Sequence, residues 1–185
     1  GKLLANFCLF NRLAVCFDVV GRTCETFSDI RFEKVRHIIT SDPRIGTWGF
    51  YDSLFAGGSC FIKDARSLAF QLKQKTVTTS LVDEVYQANK RQLWNFFTRP
   101  ERELGFSWAG KRVAVLGLAF KRDTNDIRNS PAIDMVVHAQ AAQCKKITLC
   151  DPVANSMFER LFPASDSLEY VLKEEDAIAQ ADVIL

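Results

Sequence analysis

One cysteine of the sequence lies in a setting that suits chemistry better than packing. The segment "GGSCFIKD" places Cys60 after Gly57 and Gly58, with Lys63 and Asp64 three and four residues further on. Glycines let a ligand approach the backbone, and a cation near a helix N-terminus favours the reactive thiolate. On a helix, Asp64 would share the face of Cys60 and could activate water. The alternatives are a structural thiol and a carboxylate that caps a helix or pairs on the surface.

Two further pairs of polar residues could assist such chemistry. Lys2 and Asn6 are four residues apart, so on a helix a cation and an amide would lie on one side and could stabilise an oxyanion. Lys121 and Arg128 bracket a polar loop that could bind phosphate through charge-assisted hydrogen bonds. Each pair also has an ordinary interpretation, as polar residues at a helix start or as a solvated basic loop.

The composition is that of a globular protein and argues against several classes of function. The 185 residues are 48% hydrophobic and 25% charged, enough for one or two domains with a core. A net charge of +2 without a basic cluster argues against a nucleic-acid partner. Six cysteines without a C-x-x-C pair and two histidines predict neither a metal site nor a disulfide scaffold. We therefore expect a cytoplasmic location and interpret every cysteine except Cys60 as a buried structural residue.

The opening run of residues 3–20 is apolar enough to suggest a membrane span, but two charges argue otherwise. Arg12 and Asp18 would each cost roughly 2.5–3.5 kcal/mol near the centre of a bilayer, and no basic region precedes the run as in a signal peptide. The run therefore predicts a buried helix and no membrane partner. A helix that is apolar on nearly every side belongs in a bundle or a subunit interface, so we expect a homodimer.

The remainder of the first hundred residues has helical periodicity. Gly21 is expected to stop the first helix, and Ser28 or Asp29 to cap the second. A long irregular segment then leads to the double glycine, where a helix resumes at Cys60. A further long helix is predicted to end at about Leu104.

The pattern changes near residue 109 to alternating strands and helices. Buried parallel strands are predicted for "KRVAVLGLAF", "KKITLC" and "ADVIL", and Ser130 and Pro131 begin a helix between the first two. The sequence thus predicts an all-helical domain of residues 1–105, followed by an incomplete α/β domain of residues 109–185 with a doubly wound, Rossmann-like parallel sheet. Ligands of such sheets bind beyond the carboxyl ends of the strands, where the loop "AFKRDTNDIRNS" lies.

Four segments in order make the chain resemble the UDP-glucose/GDP-mannose dehydrogenase family. "GGSCF" with the following "KD" is similar to its catalytic-cysteine motif, and "VAVLGLAFKRDTNDIRNSPAI" is similar to the start of its nucleotide-sugar domain. "SDPRIG" resembles the glucose branch, and Lys2 and Asn6 match the beginning of the central helix. The resemblance implies a helical central domain that forms dimers and a UDP-sugar-binding domain after it.

The resemblance also implies an activity and assigns residues to it. The family uses NAD to oxidise the C6 alcohol of a nucleotide sugar, here expected to be UDP-glucose, to the carboxylate. Cys60 would form a thiohemiacetal and then a thioester, Asp64 would activate the hydrolytic water, and Lys2 and Asn6 would hold the oxyanion. The remaining implied contacts are Arg44 from a neighbouring subunit, Gly57, Gly58 and Lys121 to the substrate, and Lys63 and Arg128 to the cofactor.

The sequence departs from the family at three points, the first of which is "DSLFA" in place of a glycine-rich approach to the double glycine. Phe17 and Asp18 replace an expected asparagine–glutamate pair, and no G-x-G-x-x-G segment for NAD occurs. An NAD domain is therefore expected to precede Gly1, and the chain alone is expected to be an inactive fragment. The competing interpretation is a non-catalytic module for dimerisation and nucleotide-sugar binding, and the alternative substrates are GDP-mannose and UDP-N-acetyl sugars.

Overall fold

The computed structural model describes residues 1–51 and 55–185. Residues 52–54, which belong to the predicted irregular segment, lie outside the described residues. The chain divides into two units, Gly1–Phe96 and Phe97–Leu185. This boundary falls inside a long helix, and the predicted domain limits of 1–105 and 109–185 stay a prediction.

The first unit contains only helices in its described part, which confirms the all-helical prediction. They are α1 (Lys2–Ala14), a π-helical segment (Val15–Gly21), α2 (Arg22–Thr26), α3 (Phe32–Thr40), α4 (Ser59–Lys73) and α5 (Ser80–Leu104), the last of which continues into the second unit. α4 begins one residue before Cys60, and α5 ends at Leu104, as expected.

Two predicted helix boundaries are wrong. Gly21 does not stop the first helix, because its φ of −59° is helical and the backbone continues through the π-helical segment into α2. A glycine that ends a helix adopts a left-handed conformation, which this one does not. Neither Ser28 nor Asp29 caps α3, which begins at Phe32 after the extended residue Arg31.

The long helix that runs from α1 to α2 supplies one side of the core of the first unit. Its buried residues form one hydrophobic cluster with residues of α4 and α5, and the largest of them include Phe10, Leu13, Phe17 and Val20. Val15 and Val19 are exposed. The helix is therefore buried on one side, rather than on nearly every side as the sequence suggested.

The same helix, Lys2–Thr26, is long and apolar enough to cross a membrane by length and composition. Both of its central charges are nevertheless bound within the unit. Arg12 donates to the carbonyl oxygen of Trp48 at 2.7 and 3.0 Å, and Asp18 accepts from Arg91 at 2.5 and 3.0 Å. Both charged side chains therefore have hydrogen-bond partners within the first unit.

The second unit is an α/β structure with a parallel sheet, as predicted. Its elements are β1 (Arg112–Leu116), α6 (Pro131–Ala141), β2 (Lys146–Cys150), α7 (Asn155–Glu159), β3 (Leu168–Val171), α8 (Glu174–Ile178) and β4 (Val183–Ile184). The strand order is β3-β2-β1-β4, and all neighbours are parallel. The sequence pattern did not predict β3, a four-residue strand in which only Leu168 is buried.

The connection between β1 and α6 lies at the carboxyl edge of the sheet. We name residues 117–129 the β1 loop. At its start Gly117 has a φ of +86°, which favours glycine, and at its end the Ser130 hydroxyl accepts from the amide of Ala132 at 3.2 Å. Ser130 and Pro131 thus begin α6 as predicted.

Candidate active site

Packing of α1 against α4 positions the candidate residues of the first unit. Phe10 stacks on Phe61 with ring centroids 5.8 Å apart, and one turn away Asn6 faces Asp64. The two helices are therefore antiparallel at this contact. Lys2, one turn before Asn6 on α1, is placed on the same side.

Asp64 is the centre of a polar cluster formed by Lys2, Asn6, Lys63 and Asp64 itself. Its side chain is buried and accepts from the Asn6 amide at 2.6 Å on one oxygen and pairs with the Lys63 ammonium at 2.7 Å on the other. Hydrogen bonds from Lys63 and then Asn6 lower the pKa of Asp64, and the charge of Lys2 acts in the same direction. Asp64 is therefore an ionised carboxylate at neutral pH.

Cys60 lies in the first turn of α4 with an exposed side chain. The residue before the helix, Gly58, is buried and has φ 80° and ψ 170°, a conformation that is essentially restricted to glycine. This explains why one of the two glycines is needed: it turns the chain into α4. The thiol is left at the helix N-terminus, where the backbone favours negative charge.

Lys63 was expected to act on the Cys60 thiolate and on the cofactor. In the structure its ammonium contacts Asp64, and this hydrogen bond is the main cause that raises the pKa of Lys63, with Cys60 a smaller contributor. Much of the lysine charge is thus compensated by the carboxylate. The Lys63 ammonium thus contacts Asp64 and interacts with Cys60 more weakly, through charge.

The other cysteines differ from Cys60 in their surroundings, with one exception. Cys16 and Cys150 are buried, and Cys24 and Cys144 are partly buried. Cys8, on α1, is exposed, so the expectation of a buried structural residue is wrong there. Burial raises the pKa of Cys24, Cys144 and Cys150 and keeps these thiols protonated.

Arg44 and Arg128, in different units, share one local geometry. Each follows an aspartate by two residues and donates to it from its backbone amide, at 2.9 Å to Asp42 and 3.0 Å to Asp126. Each guanidinium also binds the same aspartate, at 2.6 Å in both cases. The hydrogen bonds from Arg128 lower the pKa of Asp126 to about 2.

Asp42 and Asp126 were not predicted as functional partners, although the repeated spacing D-x-R could have indicated them. Both arginines are exposed and carry a compensated charge. An anionic ligand must therefore compete with the aspartate for the guanidinium. Arg44 binds within its own turn, and its predicted reach to another subunit stays a prediction.

Lys121 is exposed on the β1 loop, where its ammonium lies 5.4 Å from the centroid of the Phe120 ring. Asp151 is a further residue that was not predicted from the sequence. It is a buried carboxylate at the end of β2 and faces the start of this loop. Among the described residues, no three histidine, cysteine or acidic side chains are grouped to hold a metal ion.

Comparisons with known proteins match both parts of the chain to one family. Residues 1–91 match the central domain of the UDP-glucose/GDP-mannose dehydrogenase family, and residues 114–185 match the UDP binding domain of the same family. The matches contain all ten candidate residues named above, from Lys2 to Arg128. The two halves of the chain thus match consecutive parts of one kind of enzyme.

Individual relatives agree with the family matches. A UDP-glucose 6-dehydrogenase of Pseudomonas aeruginosa is 33% identical over 162 residues, which are 88% of this chain and 35% of that protein. One of Haloferax volcanii is 32% identical over 189 residues, with 100% of this chain and 41% of that protein covered. The structure of a UDP-glucose dehydrogenase from Pyrobaculum islandicum has a TM-score of 0.86 at 24% identity, covering 99% of this chain and 41% of that one. The chain spans 35–41% of the length of these relatives.

Proposed function

Because the chain belongs to the UDP-glucose/GDP-mannose dehydrogenase family, we propose that it contributes the catalytic cysteine and the nucleotide-sugar site to NAD-dependent oxidation of a nucleotide sugar. The proposed substrate is UDP-glucose, whose C6 alcohol becomes the carboxylate of UDP-glucuronate. The observation that supports this most is the cluster around Asp64. An ionised, buried carboxylate lies one helical turn after an exposed thiol at a helix start.

The residues of this chain are proposed to act once C6 of the substrate has been oxidised to the aldehyde. The Cys60 thiolate forms a bond to C6, and the carbonyl electron pair becomes an oxyanion that Lys2 and Asn6 stabilise. After oxidation to the thioester, Asp64 accepts a proton from water as the water attacks C6. The C–S bond then breaks, and the thiolate and the sugar carboxylate are released. Two hydrides leave C6 in the overall reaction. Each of them would be accepted by one molecule of NAD.

The described residues do not fit a dinucleotide site of the usual kind. Such a site needs several glycines between the first strand and its helix, so that pyrophosphate can reach the helix N-terminus. In the second unit Gly117 is the single glycine of the β1 loop, and Leu118 after it is fully buried. Lys63 and Arg128 alone do not make a dinucleotide site, and we expect the 185-residue chain alone to be inactive.

We also propose a homodimer through the first unit. A shallow groove of about 190 Å³ lies between the long N-terminal helix and α5, and exposed apolar residues such as Val15, Val19 and Leu81 line it. Apolar grooves of this kind are common at subunit interfaces. A two-fold interface here would cover them, and Arg44 would then serve the partner's sugar site.

A second candidate function is a non-catalytic module that dimerises and binds nucleotide sugars. The lack of a dinucleotide site among the described residues favours it for the isolated chain. UDP binding by the 185-residue chain without turnover fits both candidates, so only the natural protein distinguishes them.

The test measures NADH production by the natural protein with UDP-glucose, GDP-mannose and UDP-N-acetyl sugars. We expect turnover with UDP-glucose and formation of two NADH per sugar. Cys60→Ser should lower formation of the acid by about a thousandfold or more, since the nucleophile is lost. Cys8→Ser, which removes the other exposed thiol, should retain activity. Turnover by Cys60→Ser within tenfold of wild type would refute the mechanism, and no turnover with any sugar would favour the module.

A further inference from the structure

Two carboxylates are buried among the described residues, and the proposed reaction uses only Asp64. The other, Asp151, directly follows β2 and is 6% exposed. Burial of a carboxylate is costly unless hydrogen bonds compensate it. The partners of Asp151 therefore indicate what it does.

Asp151 joins the ends of two neighbouring strands. One carboxylate oxygen accepts from the amides of Leu118 and Ala119, at 2.8 and 3.3 Å, at the start of the β1 loop. The other oxygen accepts from the amides of Val153 and Ala154, at 2.8 and 2.7 Å, in the connection after β2. Both oxygens are thus occupied by backbone donors from two separate loops.

The network extends to a third strand. The Asn155 side chain accepts from the backbone amide of Asp151 at 2.9 Å and donates to the carbonyl of Val171, the last residue of β3, at 2.9 Å. The Gly117 amide donates to the carbonyl of Cys150 at 2.9 Å. The carboxyl ends of β1, β2 and β3 are therefore tied together around Asp151.

These hydrogen bonds determine the charge of the Asp151 carboxylate. Burial alone would raise the pKa of Asp151, but the four backbone hydrogen bonds outweigh it and the pKa is lowered. In sheets that bind dinucleotides, an acidic residue near this strand end accepts from a ribose hydroxyl. Asp151 has no oxygen left for that role.

We propose that Asp151 is a positioning residue that fixes the start of the β1 loop for nucleotide-sugar binding, instead of a ribose ligand. The inference rests on the proposed function of the second unit as a UDP-sugar site. Lys121 and Arg128 lie on the β1 loop, which Asp151 holds at one end and the Ser130 cap terminates at the other. The charges that meet the phosphates thereby keep a defined place relative to the sheet.

The test titrates UDP into the 185-residue chain by calorimetry. Asp151→Asn keeps the shape but turns an amide group toward backbone donors, so we expect affinity to fall by about tenfold or more. The matched control is Asp182→Asn, which removes a carboxylate that accepts from the Arg112 amide at 2.8 Å at the amino end of β1. Its affinity should stay within about twofold of wild type. Equal affinity of wild type and Asp151→Asn would overturn the proposal.

Hydrogen exchange separates positioning from general stability. In Asp151→Asn the amides of Leu118 and Ala119 should exchange faster while those of Val115 and Leu149, in the strands, stay protected. Unchanged exchange at Leu118 and Ala119 would refute the role of Asp151, whether or not UDP binds. Failure of the wild-type chain to bind UDP would instead contradict the proposed function of the second unit.

A second variant covers the case in which Asp151→Asn does not fold. Gly117→Ala disturbs the same turn through its φ of +86° and keeps the carboxylate. It should also weaken UDP binding and expose the Leu118 amide. Wild-type affinity together with faster exchange at Leu118 would show that the start of the β1 loop does not govern binding.

Discussion

At the scale of single residues, the two proposed catalytic groups differ in how the fold holds them. Asp64 is buried and takes bonds from Asn6 and Lys63 on its two oxygens, so its orientation is fixed before substrate binds. Cys60 is exposed, and its position depends on the turn at Gly58. A fixed base beside an accessible nucleophile suits a reaction in which the substrate must first reach the thiol.

Thiol reactivity should follow this arrangement. We expect Cys60 to be alkylated faster near neutral pH than the other five cysteines, because it combines exposure with a helix N-terminus and the nearby Lys63. Brief iodoacetamide treatment followed by peptide mass spectrometry measures the order. Cys8, which is also exposed but lies within α1, is the internal control for exposure alone. First reaction at Cys8, Cys144 or Cys150 would contradict the prediction.

The residues of the site were predictable to different degrees. Cys60 and Asp64 could be proposed from the sequence because their motif is local, and the structure shows Asp64 in contact with Asn6, 58 residues away. The contact itself was not predictable from spacing, since it depends on how α1 crosses α4. Asp151 was not predicted, because two of its four donors, the amides of Leu118 and Ala119, are 33 and 32 residues away in sequence and only the sheet brings them near.

At the scale of elements, helices and strands with a regular apolar pattern were predicted correctly, whereas a strand with a mixed pattern and a helix boundary were not. β1 and β2 were predicted because they are continuous apolar runs, and α5 because of its long apolar stripe. β3 contains Glu169, which binds Thr148 and Lys146 on an open part of the sheet, so its pattern is mixed. The predicted helix end at Gly21 was wrong because a glycine inside a helix and a glycine that ends one cannot be distinguished from the sequence.

The tie between β1 and β4 should make the second unit sensitive to acid. Asp182 accepts from the backbone and the guanidinium of Arg112, which lowers its pKa to about 2 from a usual value near 3.8. Its contribution to stability is complete above the unfolded pKa and is lost as pH falls from near 3.8 toward 2. Asp182→Asn should therefore be less stable than wild type at pH 6 and lose less stability in that window.

Urea unfolding of both proteins at pH 6, 4 and 2.5 measures this difference. Asp126→Asn is a useful comparison, because Asp126 has a similarly low pKa but pairs within one turn of the β1 loop. Parallel pH profiles for wild type and Asp182→Asn would show that the link between the strand ends does not contribute to acid stability.

At the scale of the whole molecule, the proposed dimer makes a prediction about shared sites. If Arg44 serves the partner's sugar site, a heterodimer of Cys60→Ser and Arg44→Ala subunits has one site with both changes and one with neither. Random mixing should then restore about a quarter of wild-type activity. Each variant alone should be inactive or strongly impaired. No recovery, with heterodimers shown to form, would place Arg44 in the site of its own chain.

The proposed function depends most on Cys60 carrying the sugar as a thioester and on Asp64 activating the water that releases it. In Asp64→Asn the side chain keeps its shape, but the base is lost and one oxygen that accepts from Asn6 or Lys63 is replaced by an amide donor, so the thioester should accumulate when the natural protein meets UDP-glucose and NAD. Mass spectrometry of the intact protein measures the added mass, and peptide mapping locates it. We expect a UDP-glucuronyl adduct on Cys60 that is absent in the Cys60→Ser, Asp64→Asn double variant. Turnover of Asp64→Asn at the wild-type rate, or an adduct on another residue, would contradict the proposed mechanism.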